Sequence, residues 1–214
     1  MSILRDLFNR YNCDKGSKHN YERVYEQFFE PLKDKEINIL EVGIYYGRSL
    51  QVWKEYFPKA QIYGIDTFQR IQPNEIQALS EDNIHWTTCD STSLNCTSIV
   101  SNAFGQDTKF DIIIDDGLHT PEANAKTLKN FWPLLKPNGI YFVEDAWPFD
   151  MMKSQEIIDN GWFKNKTHIY NDFKYNMFLH ELENKHVERY DLRENQKADS
   201  YIFKVTNQVT DYGG

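Results

Sequence analysis

Two short acidic segments carry much of the chemistry open to this chain. Ile113-Ile114-Asp115-Asp116-Gly117-Leu118-His119 and Phe142-Val143-Glu144-Asp145 each end an apolar run in carboxylates. If the two runs lie side by side in a sheet, four acids meet at one rim. There, like charges repel and raise one another's pKa unless a cation or a proton stands between them. A hard divalent ion is the simplest remedy. Magnesium takes oxygen ligands in octahedral geometry and keeps several waters, leaving positions for a substrate that offers two oxygens.

A second constellation precedes it. The segment Glu41-Val42-Gly43-Ile44-Tyr45-Tyr46-Gly47-Arg48-Ser49 is a G-x-x-x-G loop after an apolar run, and its two glycines allow a tight turn close to a ligand at the start of a helix. It lacks the G-x-G-x-x-G triplet that seats a dinucleotide pyrophosphate. An acidic strand end suits a sulfonium cation better, which favours S-adenosyl-L-methionine over a dinucleotide. The next apolar run ends in Asp66-Thr67, where a carboxylate can accept from both ribose hydroxyls. The third leads to Cys89-Asp90-Ser91, where an acid can accept from an adenine amino group.

These residues need a scaffold that brings strand ends together. Apolar runs at 37–42, 61–66, 84–88, 110–115 and 140–144 read as buried parallel strands. Helical periods at 48–57, 91–104 and 121–135 alternate with them, the last opening on Thr120-Pro121. Pro137-Asn138-Gly139 reads as a turn between helix and strand. Helices are also expected over 151–160 and 173–183, and a closing hairpin over 186–190 and 201–205. The whole is an α/β fold: a doubly wound, Rossmann-like, mostly parallel seven-stranded sheet with a C-terminal antiparallel hairpin and helices on both faces. Residues 1–35, with the polar loop Asp14-Lys15-Gly16-Ser17-Lys18-His19-Asn20-Tyr21, are expected to cap the cofactor over a main domain of 36–214. The aromatics Trp147, Phe149, Trp162, Phe163, Tyr170, Phe173, Tyr175 and Phe178 read mostly as core.

Bulk properties agree with one enzyme domain. Of 214 residues, 40% are hydrophobic and 15% aromatic, enough to bury an interior. A net charge of -8 without a dense Lys/Arg block argues against nucleic acid as a substrate. Cys13, Cys89 and Cys96 form no zinc pattern and read as reduced thiols. With no apolar run long enough for a membrane span or a signal peptide, a cytoplasmic chain is expected.

Through Glu41-Val42-Gly43, the Gly47 turn and Asp66, the chain resembles the class I S-adenosylmethionine-dependent methyltransferases. Over Asp14 to Asp145 it further resembles the metal-dependent O-methyltransferases typified by macrolide-sugar enzymes, and more loosely the cephalosporin hydroxylase-like family. The carrying features are Asp14-Lys15-Gly16, Asp116 with His119 three residues on, and the Glu144-Asp145 pair. The resemblance implies a metal held by Asp116, Glu144 and Asp145, with His119 as general base beside Asp116. It implies a cofactor site of Asp14, Lys15, Ser17, Tyr21, Glu41, Gly43, Tyr45, Gly47, Ser49, Asp66, Thr67, Asp90, Ser91 and Asp115. A metal lowers an alcohol's pKa, and a histidine with its ordinary pKa of ~6.5 can take the proton near neutrality.

The expected acceptor is a hydroxyl of a small molecule, a sugar or a nucleotide-linked group, in a natural-product or surface-glycan (capsule) pathway. Related enzymes often self-associate, so a homo-oligomer is expected. Competing readings are an NAD(P)-dependent oxidoreductase on the same type of sheet and a metal-dependent hydroxylase or hydrolase built on Asp116, His119 and Glu144.

Overall fold

Aliphatic residues on both faces of successive strands make the centre of this protein a sheet buried on two sides. The computed structural model describes residues 2–152, 163, 166–193 and 199–208. Strands β1 (Asn38–Val42), β2 (Gln61–Asp66), β3 (Ile84–Thr88), β4 (Phe110–Asp115) and β5 (Leu135–Val143) are mutually parallel. Strand β6 (Lys185–Asp191) pairs antiparallel with β7 (Tyr201–Asn207), which pairs antiparallel with β5, giving the order β3-β2-β1-β4-β5-β7-β6. The seven-stranded, mostly parallel architecture is therefore the one expected.

Helices α1 (Ile3–Arg10), α2 (Asp14–Ser17), α3 (Glu22–Phe29), α4 (Arg48–Tyr56), α5 (Cys96–Phe104), α6 (Pro121–Phe131) and α7 (Asp172–Glu181) flank the sheet. Alternation along the strands divides the interior into two cores. Ile39, Ile62, Ile112, Ile114 and Phe142 face α1, α3 and α4, whereas Leu40, Ile65, Ile113, Tyr141 and Val143 face α5, α6 and α7. In the first core Trp53 meets Phe8, Tyr25 and Phe29 edge to face at 5.6 Å in each case. Each such pair adds about 0.5–1.5 kcal/mol beyond area burial. The N-terminal helices thus share a core with the sheet. Of the aromatics expected inside, Trp147, Phe149, Phe163, Tyr170, Tyr175 and Phe178 are buried, Phe173 is 74% exposed, and Trp162 lies outside the described residues.

Three local expectations differ. Asp14–Ser17 is a short helix rather than a loop. The helix expected from 91 begins at Cys96, because Asp90 Oδ1 accepts from the Thr92 backbone N–H and hydroxyl and turns the chain there. Pro137-Asn138-Gly139 lies inside β5, where the register against β4 shifts between Phe110 and Ile112, so the residues form an irregular strand and not a turn. The helix expected over 151–160 falls almost wholly outside the described residues. No described helix is long and apolar enough to cross a membrane.

Candidate active site at the strand ends

The strand order reverses between β1 and β4, and in open α/β sheets the crevice beyond the carboxyl ends of the strands at that point receives ligands. Here that rim is built from unusual backbone. Tyr45 (φ 48°), Phe68 (φ 52°), His119 (φ 50°) and Asp145 (φ 50°) all take left-handed conformations just after β1, β2, β4 and β5. Such conformations cost about 1–3 kcal/mol each in non-glycine residues and cluster where function requires them. Gly43 (φ 92°) bridges the halves: a Cβ there would lie 2.2 Å from the carbonyl oxygen of Asp116. The exits of β1 and β4 therefore touch through bare backbone.

On the β4–β5 side the acids are divided by an ammonium group. Lys15 Nζ lies 2.5 Å from Asp116 Oδ2, donates to Glu144 Oε2, and stands 3.4 Å from Glu41 Oε1. Burial lowers the Lys15 pKa, yet the facing charges of Asp116, Glu144 and Glu41 hold it well above the usual lysine value. One ammonium cannot neutralise three acids. Burial pushes Glu144 well above the usual carboxylate range and Glu41 up to about 7, each only partly countered by Lys15, while Asp116 is drawn below its ordinary value chiefly by Lys15 and then His119. The other oxygen of Glu144 accepts from the Tyr25 hydroxyl.

The expected metal set was Asp116, Glu144 and Asp145. Of these the structure brings Asp116 and Asp145 together with His119, each of the three offering a ligand atom within 4.8 Å of the others. Glu144 faces inward, with its oxygens on Lys15 and Tyr25. His119 Nε2 lies 3.5 Å from Asp116 Oδ1, Lys15 pairing with the other oxygen, and the buried Nδ1 of His119 has no hydrogen-bond partner among the described residues. Asp145 accepts from the Tyr21 hydroxyl and lies 3.6 Å from His19 Nδ1, which also meets Ser200 Oγ at 2.8 Å. Burial raises the Asp145 pKa, with His119 and His19 opposing it. The two half-open carboxylates offer oxygens that fit a hard divalent ion, with the imidazole standing beside them.

On the β1–β3 side the expected cofactor residues separate into two groups. Gly43, Tyr45, Gly47, Asp66, Thr67, Asp90 and Ser91 line the turns after β1, β2 and β3, and Asp14 and Ser17 are exposed on α2. Asp66 braces the loops: Oδ2 accepts from the N–H groups of Ile44 (2.7 Å) and Tyr45 (3.1 Å), and Oδ1 from Phe68 N–H (2.8 Å). Gly47 (φ 69°) starts α4 in a left-handed turn. The remaining five are enclosed by protein partners. Glu41 accepts from Trp53 Nε1 and Ser49, Asp115 accepts from Asn124 Nδ2, Tyr21 donates to Asp145, and Lys15 is spent on the acids. Glu41 and Asp115 are still within β1 and β4, where helices cover both faces of the sheet and enclose them.

Tyr25 and Ser200 carry no local signal in the sequence, because each meets its partner over more than a hundred residues.

The sequence profile of the family described as "methyltransferase domain" matches residues 40–146, half of the chain. Residues of this chain are 30% identical over 156 positions to 8-demethyl-8-alpha-L-rhamnosyl tetracenomycin-C 2'-O-methyltransferase of Streptomyces olivaceus, covering 68% of this chain and 39% of that protein. A 30% identity over 152 positions relates it to demethylmacrocin O-methyltransferase of Streptomyces fradiae, with 67% and 36% covered. The chain thus spans about two fifths of the length of these relatives. In structure it is similar to the MycE methyltransferase of mycinamycin biosynthesis, solved in complex with Mg, SAH and mycinamycin VI: TM-score 0.66, 24% identity, 99% of this chain and 56% of that one.

Proposed function

The chain belongs to the methyltransferase domain family, and from that premise we propose that it moves a methyl group from S-adenosylmethionine to a hydroxyl of a sugar-bearing small molecule, with a bound divalent ion and His119 as base. The observation carrying this reading is the convergence of Asp116, His119 and Asp145 across Gly43 from the Asp66 loop. It is supported by relatives that are O-methyltransferases by name, among them a rhamnosyl tetracenomycin-C 2'-O-methyltransferase, and by a structural neighbour solved in complex with Mg and SAH.

When bound, the cofactor supplies an activated methyl group on a sulfonium centre, and magnesium acidifies a coordinated hydroxyl. This chain's residues would hold and align both. Asp116 and Asp145 offer oxygens to the ion, with Glu144 next to them as a third acid of the same rim. Asp66 and Asp90 accept from the ribose and adenine ends, while Gly43, Tyr45, Gly47, Thr67 and Ser91 shape the cradle, with Asp14 and Ser17 at its mouth. His119 takes the acceptor proton at Nε2, and Asp116 Oδ1 at 3.5 Å steadies the resulting imidazolium. The Tyr21 hydroxyl fixes Asp145.

Calorimetry with S-adenosylhomocysteine, with and without magnesium, tests the reading, followed by methyl transfer from S-adenosylmethionine to a panel of glycosides. Binding of the nucleoside together with magnesium-dependent transfer is expected. Absence of any heat with S-adenosylhomocysteine sinks it.

A further inference from the structure

The proton transfer at His119 does not require a lysine inside the acid cluster, yet Lys15 is there with its side chain only 3% exposed. Its location is imposed from outside the cluster. Gly16, its neighbour in α2, packs so tightly on α1 that a Cβ would fall 2.6 Å from Phe8 Cβ, and the Lys15 carbonyl accepts from Tyr21 N–H at 2.8 Å. An ammonium fixed this way in a dry site is tolerable only with facing carboxylates, and it has three. Asp116 is shared: Oδ2 goes to Lys15, while Oδ1 faces His119 on the side where Asp116 and Asp145 can hold a metal.

We propose that Lys15 is a resident counter-ion that competes with the divalent cation for Asp116 and Glu144, so that it keeps the rim folded without metal and sets how tightly metal is taken up. The inference rests on the metal reading given above. Two positive centres on one carboxylate, separated by the width of that group, repel each other. Removing the ammonium frees Glu144 and the second oxygen of Asp116 for the incoming ion. The same removal leaves the metal-free rim with unbalanced charge.

The test is Mn2+ binding to metal-free wild type and K15M by calorimetry, with melting temperatures measured alongside. K15M is expected to melt lower without metal, to bind Mn2+ at least tenfold more tightly, and to recover more of its melting temperature on Mn2+ addition than wild type gains. A purely packing role for Lys15 gives no such metal rescue. Uptake by both proteins with equal constants, or weaker uptake by K15M, overturns the inference and leaves the metal reading standing. No uptake by either sinks the metal reading and the inference with it. If K15M alone does not fold, K15M/E144Q removes one charge of each sign and is expected to fold; failure of that double variant also overturns the counter-ion role.

Discussion

His119 and Asp115 stand four residues apart and face different tasks. His119 follows the end of β4 in a strained conformation with Nε2 near Asp116. Its replacement in H119A should lower turnover by about 10²–10⁴-fold, the usual range for a lost general base. Affinity for S-adenosylhomocysteine should stay the same in calorimetry; a parallel loss of affinity would assign His119 to the cofactor. Asp115 is buried against Asn124, and burial pushes its pKa up to about 7. The unfolded chain releases that proton near pH ~4. Between the two values the folded form binds the extra proton, so this residue's contribution to stability falls as pH rises through the window and is level above it. Asparagine cannot ionise, so D115N should gain on wild type by up to about 4 kcal/mol between pH 4 and 8. Urea denaturation curves that shift in parallel across that range would refute the assignment.

Among the elements, four of the five parallel strands are legible from sequence because each is an apolar run with an acid at or beside its end, as in Ile112-Ile113-Ile114-Asp115. The irregular start of β5 is not legible, since Pro137 and Gly139 signal a turn wherever they occur and only pairing with β4 makes them strand. The acids of the rim were equally visible, but their division was not. Lys15 meets Asp116 and Glu144 across 101 and 129 residues, and no local spacing encodes such a contact. Nor did the left-handed backbone at His119 and Asp145 have a glycine to announce it. Gly43 did, and it yields a sharp expectation. With φ at 92° and a Cβ 2.2 Å from the Asp116 carbonyl oxygen, G43A must displace the exit of β1 from that of β4. A loss of about 2 kcal/mol or more is expected, together with weaker binding of S-adenosylhomocysteine. Wild-type melting and affinity in G43A would show that the two exits move independently.

For the molecule as a whole, the family match places the chain among methyltransferase domains, which strand ends alone do not separate from dinucleotide oxidoreductases and hydroxylases. Burial, in turn, bears on the status of residues 1–35. Leu4, Leu7, Phe8, Tyr21, Val24, Tyr25 and Phe29 are all within 3% of complete burial in the core shared with β1, β2 and β5. Each such side chain contributes about 1.5–3 kcal/mol, and together they are comparable to the usual stability of a domain, about 5–15 kcal/mol. A chain starting at residue 36 should therefore show no cooperative melting transition by circular dichroism. A sharp transition in that fragment would mean the N-terminal helices are an appendage.

The pairing of β7 between β5 and β6, and of His19 with Ser200 at 2.8 Å, has a consequence for biosynthesis. While the polypeptide is still emerging from the ribosome, every parallel strand can be in place long before residues 200–207 are translated. Until then β5 presents a bare hydrogen-bonding edge, and the histidine awaits its serine. The nascent protein thus passes through a stage with a nearly finished sheet and an unfinished acidic rim, in which an exposed strand edge invites edge-to-edge association.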